Sequence, residues 1–194
     1  MKPPQAARVA EEIIQLFNAY GHAEYAGEKV SQLEHMVQAG ELAKRQGSDE
    51  EVILAAFLHD IGHIAEKLSE ENGMGIYGIK DHEALGADFL SERGFSERLT
   101  RLVSSHVIAK RYLTLREPGY YDKLSEASKK TLEFQGGPLT NAEADLMEKD
   151  PLFKEIIRMR RWDEEAKLEG QPIPSLDYYR ELIFLHLVSQ PESF

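Results

Sequence analysis

The chain contains no cysteine. Disulfides, zinc ribbons and thiolate nucleophiles are therefore excluded, and any transition metal must be held by His, Asp or Glu. Long apolar runs are also missing, since none approaches the roughly 20 residues of a membrane helix. The first residues, MKPPQAARVAEEIIQLF, have neither the apolar centre nor the small-residue cleavage site of a secretory signal. No membrane association and a cytoplasmic location are expected. Basic residues are in deficit, 23 against 34 acidic ones, giving a net charge of −11. Such a surface repels nucleic acid unless basic side chains cluster. The longest basic run is RMRR at 158–161, read as a solvated helix face. Alternating β-branched runs, internal repeats and low-complexity linkers are absent too.

What remains is 194 residues, 42% of them hydrophobic, enough for one well-buried core. They read as helix after helix in a single all-α domain spanning 1–194. Residues 5–20 carry Val9, Ile13, Leu16 and Phe17 as an apolar stripe. Ser31 and Glu34 form a capping-box pattern opening a helix to about Arg45, Ser48 and Glu51 a second, Thr140 and Glu143 a third. The second opens VILAAFLHDIGHIAE as one helix. Gly73, Gly75 and Gly78 mark a loop. Residues 81–94 form a helix stopped at Gly94, and Ser96 starts another through Tyr112. Residues 114–124 read as irregular and 124–135 as helical. The segment 151–168 has Pro151 at its first helical position, and LDYYRELIFLHLV closes the chain.

Seven histidines are present. A lone histidine on an apolar face is usually a satisfied core residue. Here His35, His59, His63, His82 and His106 fall on four consecutive helical segments amid apolar neighbours. Helices packed side by side can aim such side chains at a common point. His59 and Asp60 are adjacent, so on a helix they point about 100° apart. They suit a site in which Asp60 reaches across to a second ion. His63 lies one turn after His59, near enough to line the pocket.

The pattern resembles the HD-domain superfamily of helical metalloproteins. His35 in SQLEHMV, His59–Asp60 in LHDIGH and Asp163 in RRWDEEAK match its ligands. His82 in KDHE and His106 in SSHV match the two further histidines of its dinuclear members. The resemblance implies that His35, His59 and Asp163 hold one ion, that His82 and His106 hold the other, and that Asp60 bridges. Mixed N/O ligation does not by itself choose among iron, manganese, zinc and nickel.

Most HD proteins are phosphohydrolases, and a nucleotide phosphohydrolase is the alternative reading. The entry segment YAGEKVSQLEHM instead resembles the PhnZ-type organophosphonate oxygenases, with Tyr25 and Glu28 at matching places. That resemblance implies a mixed-valent Fe(II)/Fe(III) pair, dioxygen and a small zwitterionic phosphonate. By the same resemblance, Tyr25 is expected to occupy an open iron position until substrate displaces it, and Glu28 to pair with the substrate's cationic nitrogen. The resemblance further implies that His63 and Lys110 offset phosphonate charge and that Ser128 and Gln135 donate hydrogen bonds to it. The implied substrate is (R)-2-amino-1-hydroxyethylphosphonate, giving glycine and phosphate, or its N-trimethyl analogue, giving glycine betaine and phosphate. Tyr20, Tyr77, Tyr112 and Trp162 read as packing residues.

Overall fold

The computed structural model describes residues 1–25, 27–65 and 81–191. Among them the regular structure is helical: α1 Pro3–Tyr20, α2 Gln32–Arg45, α3 Glu50–Leu58, α4 Gly62–Ala65, α5 His82–Ser91, α6 Glu97–Ser104, α7 His106–Arg116, α8 Tyr120–Lys123, α9 Glu126–Phe134, α10 Asn141–Met147, α11 Phe153–Glu165 and α12 Asp177–Ser189. The all-α reading holds. The glycine-rich loop at 73–78, and Tyr77 with it, lie outside the described residues.

Helix α3 is the axis. Every residue from Val52 to Leu58 is buried, as expected of a helix apolar on all sides and therefore surrounded. Helices α2, α6, α11 and α12 pack around it. Helix α2 begins with the expected reciprocal cap between Ser31 and Glu34, and α10 with that between Thr140 and Glu143. Helix α3 departs from expectation. Its cap is Asp49, whose carboxylate accepts the Val52 N–H at 3.0 Å. Glu51, the expected partner of Ser48, instead accepts from Arg98 at 2.7 Å.

Two helices expected to be continuous are broken, both beside histidines. The run from Val52 through Glu66 stops at Leu58 and restarts at Gly62. Between them Ile61 donates to the Leu58 carbonyl and His63 to the Asp60 carbonyl, the tighter three-residue winding. The cause is tertiary. A Cβ at Gly62 would collide with the His82 carbonyl oxygen, so glycine lets α5 approach that closely. The helix from Ser96 is interrupted at Ser105, whose hydroxyl donates back to the Arg101 carbonyl at 2.6 Å. Such back-bonding bends helices. Part of the stretch read as irregular is helical, namely the end of α7 and all of α8. Helix α11 starts at Phe153 rather than Pro151, because the Asp150 carboxylate takes the Leu152 N–H at 2.9 Å and holds Pro151 in a turn.

Candidate metal centre

The six side chains read as ligands come from five separate places. His35 stands on α2, His59 and Asp60 on the turn between α3 and α4, His82 at the start of α5, His106 at the start of α7, and Asp163 on α11. All six are buried, and they meet. His35 Nε2 lies 3.1 Å from His59 Nε2, and His82 Nε2 lies 2.9 Å from His106 Nε2. Asp60 stands between the pairs. Its Oδ2 is 3.4 Å from both His35 and His59, and its Oδ1 is 3.2 Å from His82 and 3.3 Å from His106. Asp163 Oδ1 completes the first group, 3.4 Å from His35 and 4.0 Å from His59. His63 also comes within ligand distance of Asp60 and His82.

The arrangement fits cations. The Nδ1 atoms of His35, His59 and His106 face the carbonyls of Ala166, Ala56 and Val103 at 2.8 to 2.9 Å. A carbonyl only accepts, so each Nδ1 donates, and in the neutral rings each Nε2 turns a lone pair inward. Both oxygens of Asp60 and Oδ1 of Asp163 are buried without a hydrogen-bond donor. Converging lone pairs and orphaned carboxylate oxygens are costly in a protein interior. An ion in each half satisfies them together. Without metal, a proton does part of this work. Burial disfavours a charged His35, but the carboxylates of Asp163 and Asp60, each 3.4 Å from its Nε2, prevail and raise it to about 9. Burial likewise opposes ionisation of Asp163, yet the Arg160 guanidinium and the neighbouring histidines hold it well below the usual carboxylate range.

Arg160 corrects the reading of RMRR as a solvated face. It is 4% exposed. It donates to Asp163 Oδ2, to the Tyr120 hydroxyl at 3.0 Å and to Glu164 at 2.8 Å. It thereby fixes the carboxylate of Asp163. Its Nη2 is buried without a partner.

A small cavity of about 50 Å³ adjoins the cluster, lined by Tyr25, Glu28, His63, Lys110, Ser128 and Gln135 among others. These are the six residues singled out for substrate. The Tyr25 ring stacks on His35 with centroids 4.0 Å apart, and His63 stacks on His82 at 4.1 Å. Burial and the carboxylates of Asp60 and Asp163 raise the Tyr25 phenol well above its usual value. Lys110 is 3% exposed and donates to Thr131 Oγ1 at 2.9 Å. Burial and the nearby Arg160 lower it to about 7. Burial and His82 push His63 down to about 3. His63 is thus neutral and offers a hydrogen bond rather than the positive charge expected of it. Gln135 Oε1 is buried and unpartnered.

Thr131, Arg160 and Lys167 also line the cavity, and sequence reasoning missed all three. Arg160 was within reach, one helical turn before Asp163. Lys167 follows the end of α11, where helical spacing gives no guidance. Of the expected packing residues, Trp162 is buried and Tyr112 packs edge-on to Phe153, but Tyr20 is 39% exposed.

Comparison with known proteins agrees with this geometry. The model of the HD domain matches residues 32–171. An uncharacterized protein of Acanthamoeba polyphaga mimivirus is 42% identical over 90% of this chain and 80% of its own length. The [1-hydroxy-2-(trimethylamino)ethyl]phosphonate dioxygenase (glycine-betaine-forming) of Leisingera caerulea is 37% identical over 90% of this chain and 88% of its own. The hydroxymethylphosphonate dioxygenase of Gimesia maris is 38% identical over 86% and 82%.

Proposed function

Because the chain belongs to the HD-domain family, and counts phosphonate dioxygenases among its relatives, we propose that it is a di-iron oxygenase. Its reaction is oxidative cleavage of the C–P bond of a small 1-hydroxyalkylphosphonate. One observation carries the reading. The cavity sets Lys110 and the unpartnered edge of Arg160 beside a cluster of imidazoles and carboxylates. That combination suits an oxyanion held next to metal. His35, His59 and Asp163 would hold one iron, His82 and His106 the other, and Asp60 would contact both. Bound there as Fe(II) and Fe(III), the pair would supply dioxygen activation and Lewis-acid charge for the substrate's oxygens.

The protein's own groups do the rest. Lys110, when protonated, and Arg160 Nη2 attract and orient the phosphonate. Ser128 and the Gln135 amide nitrogen donate hydrogen bonds to it, and neutral His63 adds one. Gln135 Oε1 is free to accept from the substrate hydroxyl. Tyr25 covers the cavity side of the cluster as a protonated phenol, and entering substrate displaces it. The tail beyond that carbon meets Glu28, which was expected to bind a cationic nitrogen.

The test is phosphate release from 1-hydroxyalkylphosphonates by iron-loaded protein, with and without dioxygen. Phosphate formed only with dioxygen, in step with the carboxylic acid derived from C1, is the expected result. Hydrolysis of nucleotide phosphate esters under argon, with no oxygen-dependent phosphate, would establish the phosphohydrolase instead.

A further inference from the structure

Glu28 already has a cation. Its Oε1 accepts from Lys167 Nζ at 2.7 Å and from Ser125 Oγ at 2.6 Å. Both side chains of the ion pair are largely buried, at 14% and 17% exposure. Resting on the oxygenase reading above, we infer that Lys167 is a built-in counterion that fits the site to 1-hydroxyphosphonates whose carbon end bears no positive charge.

Three features support this. The first is position. Lys167 Nζ lies 5.8 Å from the centroid of the Tyr25 ring and 3.5 Å from Ser128 Oγ. A carboxylate and an aromatic face are what an incoming ammonium would seek, and the lysine stands between them. The second is charge. Lys110, Arg160 and Lys167 line one cavity. A cationic tail would have to break the pair with Glu28 and leave two like charges competing for one carboxylate, whereas a hydrogen, methyl or hydroxyl tail displaces nothing. The third is rigidity. Lys167 directly follows Ala166, whose carbonyl faces His35 Nδ1 at 2.9 Å. The counterion is therefore anchored to the same backbone that orients a metal-facing histidine. The ion pair with Glu28 holds the end of its side chain.

Hydroxymethylphosphonate is the simplest probe of this class. Its cleavage by one dioxygen to formate and phosphate balances without external electrons. The rival account of Lys167 is a clamp that merely ties the segment after α11 to the residues before α2. The two differ in what they do to selectivity.

The experiment compares hydroxymethylphosphonate, (R)-2-amino-1-hydroxyethylphosphonate and its N-trimethyl analogue. Binding to iron-loaded protein is read by calorimetry under argon, and turnover by phosphate release in air. Wild type should favour hydroxymethylphosphonate over either cation by tenfold or more in Kd and in kcat/KM. Lys167→Met and Lys167→Gln should each shift the Kd ratio toward the aminated compound by at least tenfold, and Lys167→Arg should leave it in place. Wild type preferring a cationic compound overturns the inference. So do Lys167 variants that weaken all three equally, which is the signature of a clamp. If the binding preference holds while no compound yields phosphate, the oxygenase reading fails alone. If none binds, both fail.

Discussion

Replacing Lys110 with methionine should stabilise the metal-free protein and abolish its response to phosphonate. Burial holds the ammonium at about 7, against an ordinary 10.5. Each pH unit of that gap corresponds to about 1.4 kcal/mol. At pH 6 the folded protein therefore bears a penalty of roughly 5 kcal/mol for keeping this lysine charged. Methionine has similar length, fills the same buried space and carries no charge. It removes the hydrogen bond to Thr131 Oγ1, worth about 1 kcal/mol, so a net gain of about 4 kcal/mol is expected at pH 6.

The pH dependence gives the sharper test. The folded value lies below the unfolded one, so between pH 7 and 10.5 the unfolded chain binds more protons. Lysine's contribution to stability then rises with pH by about 1.4 kcal/mol per unit. His35 works oppositely. Its folded value of about 9 exceeds the ordinary 6.5, so its stabilisation is complete below pH 6.5 and is lost as pH rises through 9. The two slopes nearly cancel in wild type between pH 7 and 9. Their separation requires the difference between wild type and Lys110→Met, measured by urea unfolding of chelator-stripped protein. That difference should shrink by roughly 3 kcal/mol from pH 7 to pH 9. A constant difference would mean that Lys110 does not titrate in this window, and the burial argument would be wrong.

Two further outcomes follow from the geometry. Asp60→Asn keeps the shape but removes the carboxylate that faces both histidine pairs; metal analysis should find about one ion per chain or fewer, and retention of two would remove Asp60 from its place between them. Gly62→Ala should destabilise the fold by about 3 kcal/mol or more, because the added methyl meets the His82 carbonyl, which is backbone and cannot yield without moving α5; a thermal midpoint within a degree of wild type would show that the close approach is unimportant.

The cluster was legible partly from local pattern and partly from the resemblance to the HD superfamily, which alone singled out Asp163. His59 and Asp60 interrupt an apolar run, His35 sits among buried residues of α2, and Asp163 follows Trp162 on a largely buried face. A buried polar group needs a partner, so such violations on successive helices point to a shared one. The helix breaks were not legible. Neither the turn at 59–61 nor the bend at Ser105 follows from local pattern. The first depends on the approach of α5 to Gly62, and the second on which way one hydroxyl turns. Yet both breaks aim the histidines. A continuous helix would have kept His59 and His63 on one face, whereas the tightened turn sends His59 toward His35 and His63 toward His82. The ion pair of Glu28 with Lys167 was hidden for the same reason, since 139 residues of chain separate its members.

The three cations of the cavity are not equivalent, and the difference says where an anion binds. Arg160 is held by Asp163 and Glu164. Lys167 is held by Glu28. Lys110 has no carboxylate within ion-pair distance among the described residues, only the hydroxyl of Thr131. A charge already paired offers a ligand only the donors it has left, such as Arg160 Nη2, and a charge left unpaired in the interior is driven toward neutrality. For Lys110, burial and the nearby Arg160 depress its value, with no paired carboxylate to oppose them. A dianionic phosphonate fills the vacancy, so binding should draw a proton onto Lys110 above pH 7 and proceed with proton uptake. Calorimetry in buffers of different ionisation enthalpy measures that uptake directly. Binding at pH 8 without it would place the phosphonate elsewhere in the cavity.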